Sequence, residues 1–216
     1  MLAVTPQYTL ATSPHTLPTS PDTLPIRLAV IIGSTRDGRR GGAVADWFVA
    51  TVADRPDIDV DVVDLADFDL PERYTFTATP ALTEFRERLD AADAFVVVTP
   101  EYNHSYPAAL KHAVDFANGQ WRRKAVGFVS YGGVSGGLRA VEHLRQVFAE
   151  LHVHGVRDTI SFHGPWNGFG DAGPADPEGC RAAATVLVDE LVWWADALRT
   201  ARERDALVQA GAAGAW

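Results

Sequence analysis

The chain has 216 residues, of which 47% are hydrophobic and six are tryptophan, so it can bury the core of one domain. Its formal net charge of −9 argues against nucleic acid and against an anionic membrane surface as partners, because both require a basic face on the protein. The single cysteine, Cys180, excludes an intramolecular disulfide and a multi-cysteine metal site and suits a reducing cytoplasm, and no apolar run approaches the length of a transmembrane helix.

Residues 1–25 differ in composition from the rest of the chain. They contain no Lys or Arg, and the segments TLATSPH, TLPTSPD and TLP form a degenerate seven-residue repeat. A secretory signal needs a charged start and an apolar run, and neither is present. The Pro, Ser and Thr content predicts a flexible, disordered extension, with a docking arm or a lid over a neighbouring subunit as the alternative.

From Ile26 onward, apolar runs alternate with helical patterns. Strands are predicted at 27–32, 58–65, 94–100, 125–131 and 153–162, and helices at 42–53, 80–91 with Thr79 as a hydroxyl cap, 107–118, 137–151 and 176–202. The first, third and fourth strands are uninterrupted apolar runs, which is typical of parallel strands buried on both faces, whereas the second alternates Asp with Val and is predicted nearer an edge. Five strand–helix pairs predict one α/β domain over residues 26–205, followed by a flexible tail over 206–216.

The loop after the first strand, GSTRDGRRGG at 33–42, carries the chemistry of an anion site. A phosphate is held by N–H groups at a helix N-terminus together with hydroxyl and guanidinium groups, and Ser34, Arg36 and Arg39 offer such groups. The loop is neither a Walker motif nor G-x-G-x-x-G, which disfavours a nucleoside triphosphate or a dinucleotide at this position. Arg40 is assigned with equal weight to the phosphate or to solvent.

Two further loops leave the third and fourth strands, and the carboxyl ends of these strands are where a doubly wound sheet binds its ligand. In TPEYNHSYPAALKHAVDFAN, at 99–118, Pro100 to Asn103 form a stiff turn whose backbone can approach a flat ring, and Ser105 is predicted to cap the next helix. In SYGGVSGGLRA, at 130–140, four glycines in six positions let the backbone pass close to a planar ligand, although an ordinary turn is the alternative. We expect the three loops to converge on one crevice.

The second loop resembles the PEYNxSxPxxLKNAxD signature of the NADPH-dependent FMN reductases, with His112 where that family usually has Asn. The first loop is similar to the family's GSxRxxS/R phosphate loop, and the third to its Gly-Gly-x-x-Gly-Gly-x-x-A loop, which EHLRQVFAELH follows here. The resemblance runs from about Leu28 to Arg202. It implies a flavodoxin-like three-layer sandwich with a five-stranded parallel sheet in the order 2-1-3-4-5, FMN as cofactor, NADPH or NADH as co-substrate, and a homodimer or homotetramer.

The resemblance also implies which residues bind FMN. Ser34, Arg36 and Arg39 would hold the phosphate, and the isoalloxazine ring would contact seven residues of the other two loops, namely Pro100, Glu101, Tyr102, Asn103, Tyr131, Gly132 and Gly133. No catalytic side chain and no metal ligand is predicted, because hydride transfer to a flavin needs no base at the ring. Glu101 is therefore expected to be a structural carboxylate rather than a general base, and His104 is either a proton donor or a helix-entry residue.

The expected function is a cytoplasmic oxidoreductase that passes hydride from NAD(P)H to FMN and then to a flavin, quinone or similar small-molecule acceptor by a ping-pong mechanism. The alternatives are a flavodoxin-type electron carrier, which the arginines of the first loop and the PEYN turn disfavour, and a supplier of reduced flavin to a partner oxygenase. One weaker feature is left open: residues 122–124 either meet the extra phosphate of NADPH or form a solvated cluster. His152, His154 and His163 are expected to be structural or exposed rather than metal-binding, because no carboxylate or Cys lies beside them at ligand spacing.

Overall fold

The computed structural model describes residues 24–75, 77–164, 169–170 and 173–213, so the predicted extension over 1–25 lies outside the described residues except for Leu24 and Pro25. The strands are β1 (Ile26–Ile32), β2 (Ile58–Asp64), β3 (Ala94–Pro100), β4 (Ala125–Gly132), β5 (His154–His163), β6 (Phe169–Gly170) and β7 (Gly173–Pro174). The helices are α1 (Gly41–Val52), α2 (Pro80–Ala91), α3 (Ala108–Phe116), α4 (Leu138–Glu150) and α5 (Pro177–Ala213). None of these helices is both long and apolar enough to cross a membrane.

The main sheet is parallel and has the order β2-β1-β3-β4-β5, which confirms the topology that the sequence resemblance implied. Every residue of β3 and β4 is buried, as their uninterrupted apolar runs predict. The alternating strand β2 lies at one edge, where several of its residues are exposed. The carboxyl ends of β1, β3 and β4 are therefore adjacent. The three loops that follow these strands start from the same end of the sheet.

Two apolar layers cover the sheet, one on each face. Alternate residues of β1 divide between them: Leu28 and Val30 pack with α1 and α5, whereas Ala29 and Ile31 pack with α2, α3 and α4. This division follows from the two-residue period of a strand, which sends successive side chains to opposite faces. Both layers are continuous, so the helices hold the loop-bearing edge of the sheet in a fixed frame.

The helix starts show one correct and one wrong prediction. Thr79 caps α2 as predicted, since its Oγ1 accepts a hydrogen bond from the Leu82 N–H at 3.2 Å. The predicted cap at Ser105 is wrong, because α3 begins at Ala108 with Pro107 at its N-cap position and no side-chain cap. The Ser105 hydroxyl instead shares a hydrogen bond with the imidazole of His143, which the fold brings to it from α4.

The last helix, α5, extends well past Arg202, where the sequence pattern places its end. It continues to Ala213, so residues 206–213 have a helical backbone instead of the predicted tail. Arg199 and Arg202 fix the middle of this helix to the sheet through Asp93, at 3.5 and 2.8 Å. The short hairpin of β6 and β7 was also not predicted, because two-residue strands leave no periodic pattern.

Candidate active site

Each pair of the three loops is joined by a side-chain contact. The Tyr131 hydroxyl donates a hydrogen bond to the Ser34 Oγ at 3.1 Å, which joins the third loop to the first. The Arg36 guanidinium lies over the Tyr102 ring, 5.6 Å from its centre, and joins the first loop to the second. Glu101 accepts hydrogen bonds from the start of α4 and joins the second loop to the third. The three loops thus meet at the carboxyl ends of the strands, and the crevice between them stays a prediction.

Ser34 lies beneath the first residue of α1. Its side chain is fully buried, and a Cβ placed on Gly41 would overlap the Ser34 Oγ, so only glycine can begin the helix at this distance. Arg40, at the N-cap position, makes no side-chain cap for the first turn of α1. The first loop therefore combines a hydroxyl, a close backbone approach and a helix N-terminus without a side-chain cap, which are features of a phosphate site.

Arg39 is engaged in an ion pair within the protein. Its two terminal nitrogens each lie 2.5 Å from an oxygen of Asp64 at the end of β2, and one of them also donates to the Ser34 carbonyl at 2.7 Å. The hydrogen bonds with Asp64 raise the pKa of Arg39 despite partial burial. In this arrangement Arg39 positions the backbone of Ser34, and its own contact with a phosphate stays a prediction.

The second loop makes a tight hairpin turn at Asn103 and His104. Tyr102 and Ser105 exchange backbone hydrogen bonds of 2.8 and 3.1 Å across the turn. The two central residues have φ angles of 49° and 73°, in the left-handed region that a type I′ turn requires. Asparagine tolerates this region, whereas histidine adopts it rarely. The turn leaves both side chains exposed above Pro100, which is paired with Tyr131 in the sheet.

Glu101 fixes the second loop to the N-terminus of α4. Its carboxylate is 9% exposed, and it accepts hydrogen bonds from the Ser135 hydroxyl, from the Arg139 guanidinium at 3.0 Å and from the Arg139 N–H at 3.3 Å. Burial raises the pKa of Glu101, but these hydrogen bonds together outweigh it, so the pKa lies below its ordinary value. Because the Glu101 carboxylate is ionised and accepts hydrogen bonds from the protein itself, a structural role is favoured over the role of a general base.

Ser135 and Arg139 were not predicted as site residues. They lie in the stretch SGGLRA, whose glycines drew attention to the backbone and away from the polar side chains on either side. Glu101 precedes Arg139 by 38 residues, so no local pattern pairs the two. The available signal was a carboxylate directly after a buried strand, together with an arginine in the first turn of the helix that follows the next strand.

The glycines of the third loop have two kinds of environment. Gly136 and Gly137 have φ angles of 62° and 91°, and a Cβ on Gly136 would overlap the Ser161 hydroxyl. A Cβ on Gly132 would approach the Gly137 N–H at 3.0 Å. A Cβ on Gly133, in contrast, would meet nothing within 4 Å. Three glycines are therefore required by the packing of the loop itself, while Gly133 borders open space in the crevice.

Tyr131 faces inward from the end of β4. Its side chain is buried, and burial raises its pKa to about 12, so the phenol stays protonated and donates to Ser34 at physiological pH. The sequence resemblance assigns Tyr131 to the flavin ring. The structure shows that its hydroxyl also connects the third loop to the presumed phosphate end of the site.

A cleft of about 290 Å³ opens beside the first loop, on the side of α3. His112 lies at its wall, where its Nε2–H donates to the Pro71 carbonyl at 2.6 Å and ties α3 to the segment after β2. The lining residues are Thr35, Leu65, Ala66, Phe68, Asp69, Leu70, Ala109 and His112. The cleft borders the first loop through Thr35.

The basic residues 122–124 lie at the opposite edge of the sheet from the three loops. Lys124 directly precedes β4, is almost fully buried, and donates to the Leu89 and Asp90 carbonyls at 2.8 and 2.9 Å. Arg123 pairs with Asp205 of α5. These contacts give Lys124 a structural role, and the length of β4 separates the cluster from the three loops. Within the described residues no group of three or more His, Cys, Asp and Glu side chains could hold a metal ion.

Comparison with known proteins places these features in a family. The family model described as NADPH-dependent FMN reductase matches residues 26–167. The chain is 37% identical over 137 residues to a probable NADPH:quinone oxidoreductase 1 of Oryza sativa subsp. japonica, covering 60% of this chain and 70% of the relative. It is 32% identical over 176 residues to an FMN-dependent NADPH-azoreductase of Staphylococcus haemolyticus, covering 76% and 92%.

Among solved structures, the fold is similar to FerB of Paracoccus denitrificans, described as a flavoenzyme NAD(P)H:(acceptor) oxidoreductase. The TM-score is 0.64 at 23% identity, and the match covers 79% of this chain and 97% of FerB. At this identity the likeness establishes the common fold.

Proposed function

Because the chain belongs to the NADPH-dependent FMN reductase family, we propose that it binds FMN in the crevice and transfers reducing equivalents from NAD(P)H to a small-molecule acceptor. The observation that carries this proposal is the set of three contacts that hold the loops around the crevice, Ser34 with Tyr131, Arg36 with Tyr102, and Glu101 with Arg139. They bring the three loops together at the carboxyl ends of the strands, where a doubly wound fold binds its ligand, which supports the proposal.

The residues present suit FMN. Arg36 is exposed beside the N-terminus of α1 and the buried Ser34, so this end of the crevice offers a cation and N–H groups to a monophosphate. At the other end, Gly133 has open space where a Cβ would lie, which allows a planar ring to approach the backbone. The backbone of residues 100–103 and 131–133 would hold the ring, and Arg39 would support the phosphate loop through Ser34.

Bound FMN would supply the hydride chemistry, and the protein would supply binding, orientation and exclusion of water. Glu101 holds the second and third loops together, and its carboxylate forms an ion pair with Arg139. The protonated Tyr131 holds Ser34 in place. These contacts would keep the loops in a fixed arrangement around the cofactor, so that hydride transfer would need orientation of the nicotinamide and no protein base.

The acceptor is proposed to be a quinone, an azo compound or a free flavin, reduced after the oxidised nicotinamide has left. The names of the rice and Staphylococcus relatives support the first two classes. A homodimer or homotetramer and a cytoplasmic location are proposed together with this activity, as the sequence resemblance implies. The extension over residues 1–25 and any tail beyond Ala213 are proposed to lie outside the catalytic domain.

The test is a visible spectrum of the purified protein, followed by anaerobic addition of NADPH or NADH. We expect the purified protein to show the absorption band of a flavin, and we expect direct mixing with NADPH or NADH to bleach this band. A flavodoxin-type carrier would keep its band, because it depends on a separate reductase.

Calorimetry on the apoprotein should show tighter binding of FMN than of FAD, since the first loop suits a terminal monophosphate. Equal or tighter binding of FAD would contradict the proposed phosphate site.

A further inference from the structure

Three polar residues at the mouth of the crevice have no role in the flavin site described above. The Ser105 Oγ and the His143 Nδ1 lie 2.9 Å apart, and the rings of His104 and His143 have their centres 6.3 Å apart. His104 and Ser105 belong to the second loop, and His143 to α4. The cluster therefore connects the second loop to α4, the helix that follows the third loop.

The Ser105 hydroxyl is not used as a helix cap. The helix α3 begins at Ala108 with Pro107 at its N-cap position, while the Ser105 hydroxyl shares a hydrogen bond with an imidazole 38 residues away. This contact orients His143 relative to the second loop.

His104 is held in a strained backbone conformation. Its φ of 73° lies in the left-handed region, which costs a non-glycine residue about 1–3 kcal/mol. Such strain persists where the surrounding structure over-determines it, and here the paired backbone hydrogen bonds of Tyr102 and Ser105 do so. The same turn that would face the flavin ring presents an imidazole to solvent at the crevice mouth.

The charged groups nearest to the cluster are already engaged. Arg139, one turn before His143 on α4, pairs with Glu101. Glu142, the neighbour of His143, lies 3.6 Å from Arg145. The two imidazoles are therefore the titratable groups of this region that have no ion-pair partner in the part of the chain that the structure describes.

We propose that His104 donates a proton to the acceptor as the acceptor is reduced, and that Ser105 and His143 position it. The proposal rests on the proposed function and concerns its second half-reaction. It assigns the acceptor to compounds whose two-electron reduction leaves an oxyanion, such as quinones. Bound FMN would supply the hydride, which would leave the acceptor as a monoanion. The N–H bond of the His104 imidazolium then breaks, an O–H bond forms on the product, and the neutral imidazole regains a proton from solvent.

His143 is a positioning residue in this scheme. Its Nδ1 is held by the Ser105 hydroxyl, which fixes the ring and leaves its Nε2 available on the side away from Ser105. The centres of the two imidazole rings are 6.3 Å apart, and the ring planes are inclined by 47°. Hydride transfer from NAD(P)H to the flavin requires no such donor, so the expectation that the first half-reaction uses no catalytic side chain is unchanged.

The test compares two oxidants on flavin reduced chemically with dithionite, so that it does not depend on nicotinamide. Benzoquinone takes up protons as it is reduced, whereas ferricyanide takes up electrons alone. For His104→Asn we expect stopped-flow reoxidation by benzoquinone to fall about a hundredfold, the usual effect of losing a general acid, with reoxidation by ferricyanide unchanged. The solvent deuterium isotope effect on the benzoquinone step should differ between wild type and variant, because only the contribution of the exchangeable flavin N5–H is common to both.

The matched control is His152→Asn. His152 is also exposed and also has a left-handed φ, of 58°, but it lies at the opposite edge of the sheet. Its variant should match the wild type with both oxidants. Equal slowing of both oxidants in His104→Asn, or no slowing of benzoquinone, would overturn the proposal. Failure of NAD(P)H to bleach the wild-type flavin would instead overturn the proposed function.

A second readout needs no turnover. In apoprotein with ¹⁵N-labelled histidine, Ser105→Ala should shift the Nδ1 resonance of His143 and leave that of His152 in place. In wild-type protein loaded with oxidised FMN, addition of 4-cyanophenolate, a probe for the oxyanion product, should shift the His104 resonance. The proposal would also be overturned if the phenolate left the His104 resonance unmoved.

Discussion

Arg36 and Arg39 are three residues apart and differ in what they contact. Arg39 is committed to Asp64, whereas the contact of Arg36 in the described structure is with the face of the Tyr102 ring. An arginine over an aromatic ring can turn toward an anion without breaking an ion pair. At the scale of single residues, Arg36 is therefore the side chain whose removal most directly tests the phosphate end of the crevice.

Arg36→Ala should weaken FMN binding by about 1.5–3 kcal/mol, the contribution of a charge-assisted hydrogen bond to an anion. Calorimetry on the apoprotein measures the change. Arg181→Ala, which removes an exposed arginine of α5, is the control and should leave the dissociation constant unchanged. If Arg36→Ala also leaves it unchanged, Arg36 does not belong to the site.

Glu101→Gln should lower the free energy of unfolding of the apoprotein by about 1.5–3 kcal/mol at pH 7, because a buried carboxylate loses charge-assisted hydrogen bonds from Ser135 and Arg139. The folded-state pKa of Glu101 lies below its ordinary value of 4.5, so its stabilisation is complete above that value and is lost as the pH falls through the lowered one. Wild type and variant should thus converge in acid.

Denaturant unfolding at a series of pH values measures this difference. Glu142→Gln is the matched control, since Glu142 is 73% exposed and only 3.6 Å from Arg145. Its unfolding free energy should stay within about 0.5 kcal/mol of the wild type. A difference between Glu101→Gln and wild type that persisted unchanged at pH 2 would show that the carboxylate charge is not its source.

At the scale of secondary-structure elements, the third loop offers a comparison between two of its own glycines. Gly136→Ala should destabilise the protein by at least about 1 kcal/mol, because the residue has a positive φ and its Cβ would overlap the Ser161 hydroxyl. Gly133→Ala should leave the unfolding free energy nearly unchanged, since its Cβ would meet nothing within 4 Å.

Thermal unfolding of the apoprotein and FMN titration distinguish the two variants. We expect Gly136→Ala to lose stability, and Gly133→Ala to keep its stability while binding FMN more weakly, because the added methyl group would occupy the space of the ring. Unaltered FMN binding in Gly133→Ala would remove Gly133 from the proposed ring contacts.

The elements that could be predicted from the sequence are those that a local pattern determines. The strands β1, β3 and β4 are continuous apolar runs, and Thr79 directly precedes a proline-initiated helix, so propensity and position agree there. The contacts that were missed join residues far apart in the chain. Asp64 is 25 residues from Arg39, and His143 is 38 residues from Ser105. No periodicity records such pairs, because only the folded sheet brings them together.

For the whole molecule, deletion of residues 1–24 should leave the melting temperature and the flavin content nearly unchanged. A Pro/Ser/Thr-rich segment contributes little buried apolar surface, and Leu24 is 78% exposed. The deletion keeps Pro25, whose carbonyl accepts a hydrogen bond from Arg199 at 3.2 Å. Thermal unfolding and the flavin absorbance per chain measure the outcome, and loss of flavin or a change in oligomeric state would show that the segment is a structural part.

The attachment of Glu101 to the first turn of α4 has a consequence for motion. Because the carboxylate ties the PEYN turn to a thirteen-residue helix packed on the sheet, the second loop and the third loop form one rigid wall of the crevice. The opposite wall, the first loop, is held at Arg39 and Ser34, with the segment around Arg36 left between these anchors. We therefore expect the motion that admits a cofactor to be concentrated in that short segment, which carries the arginine proposed to hold the phosphate.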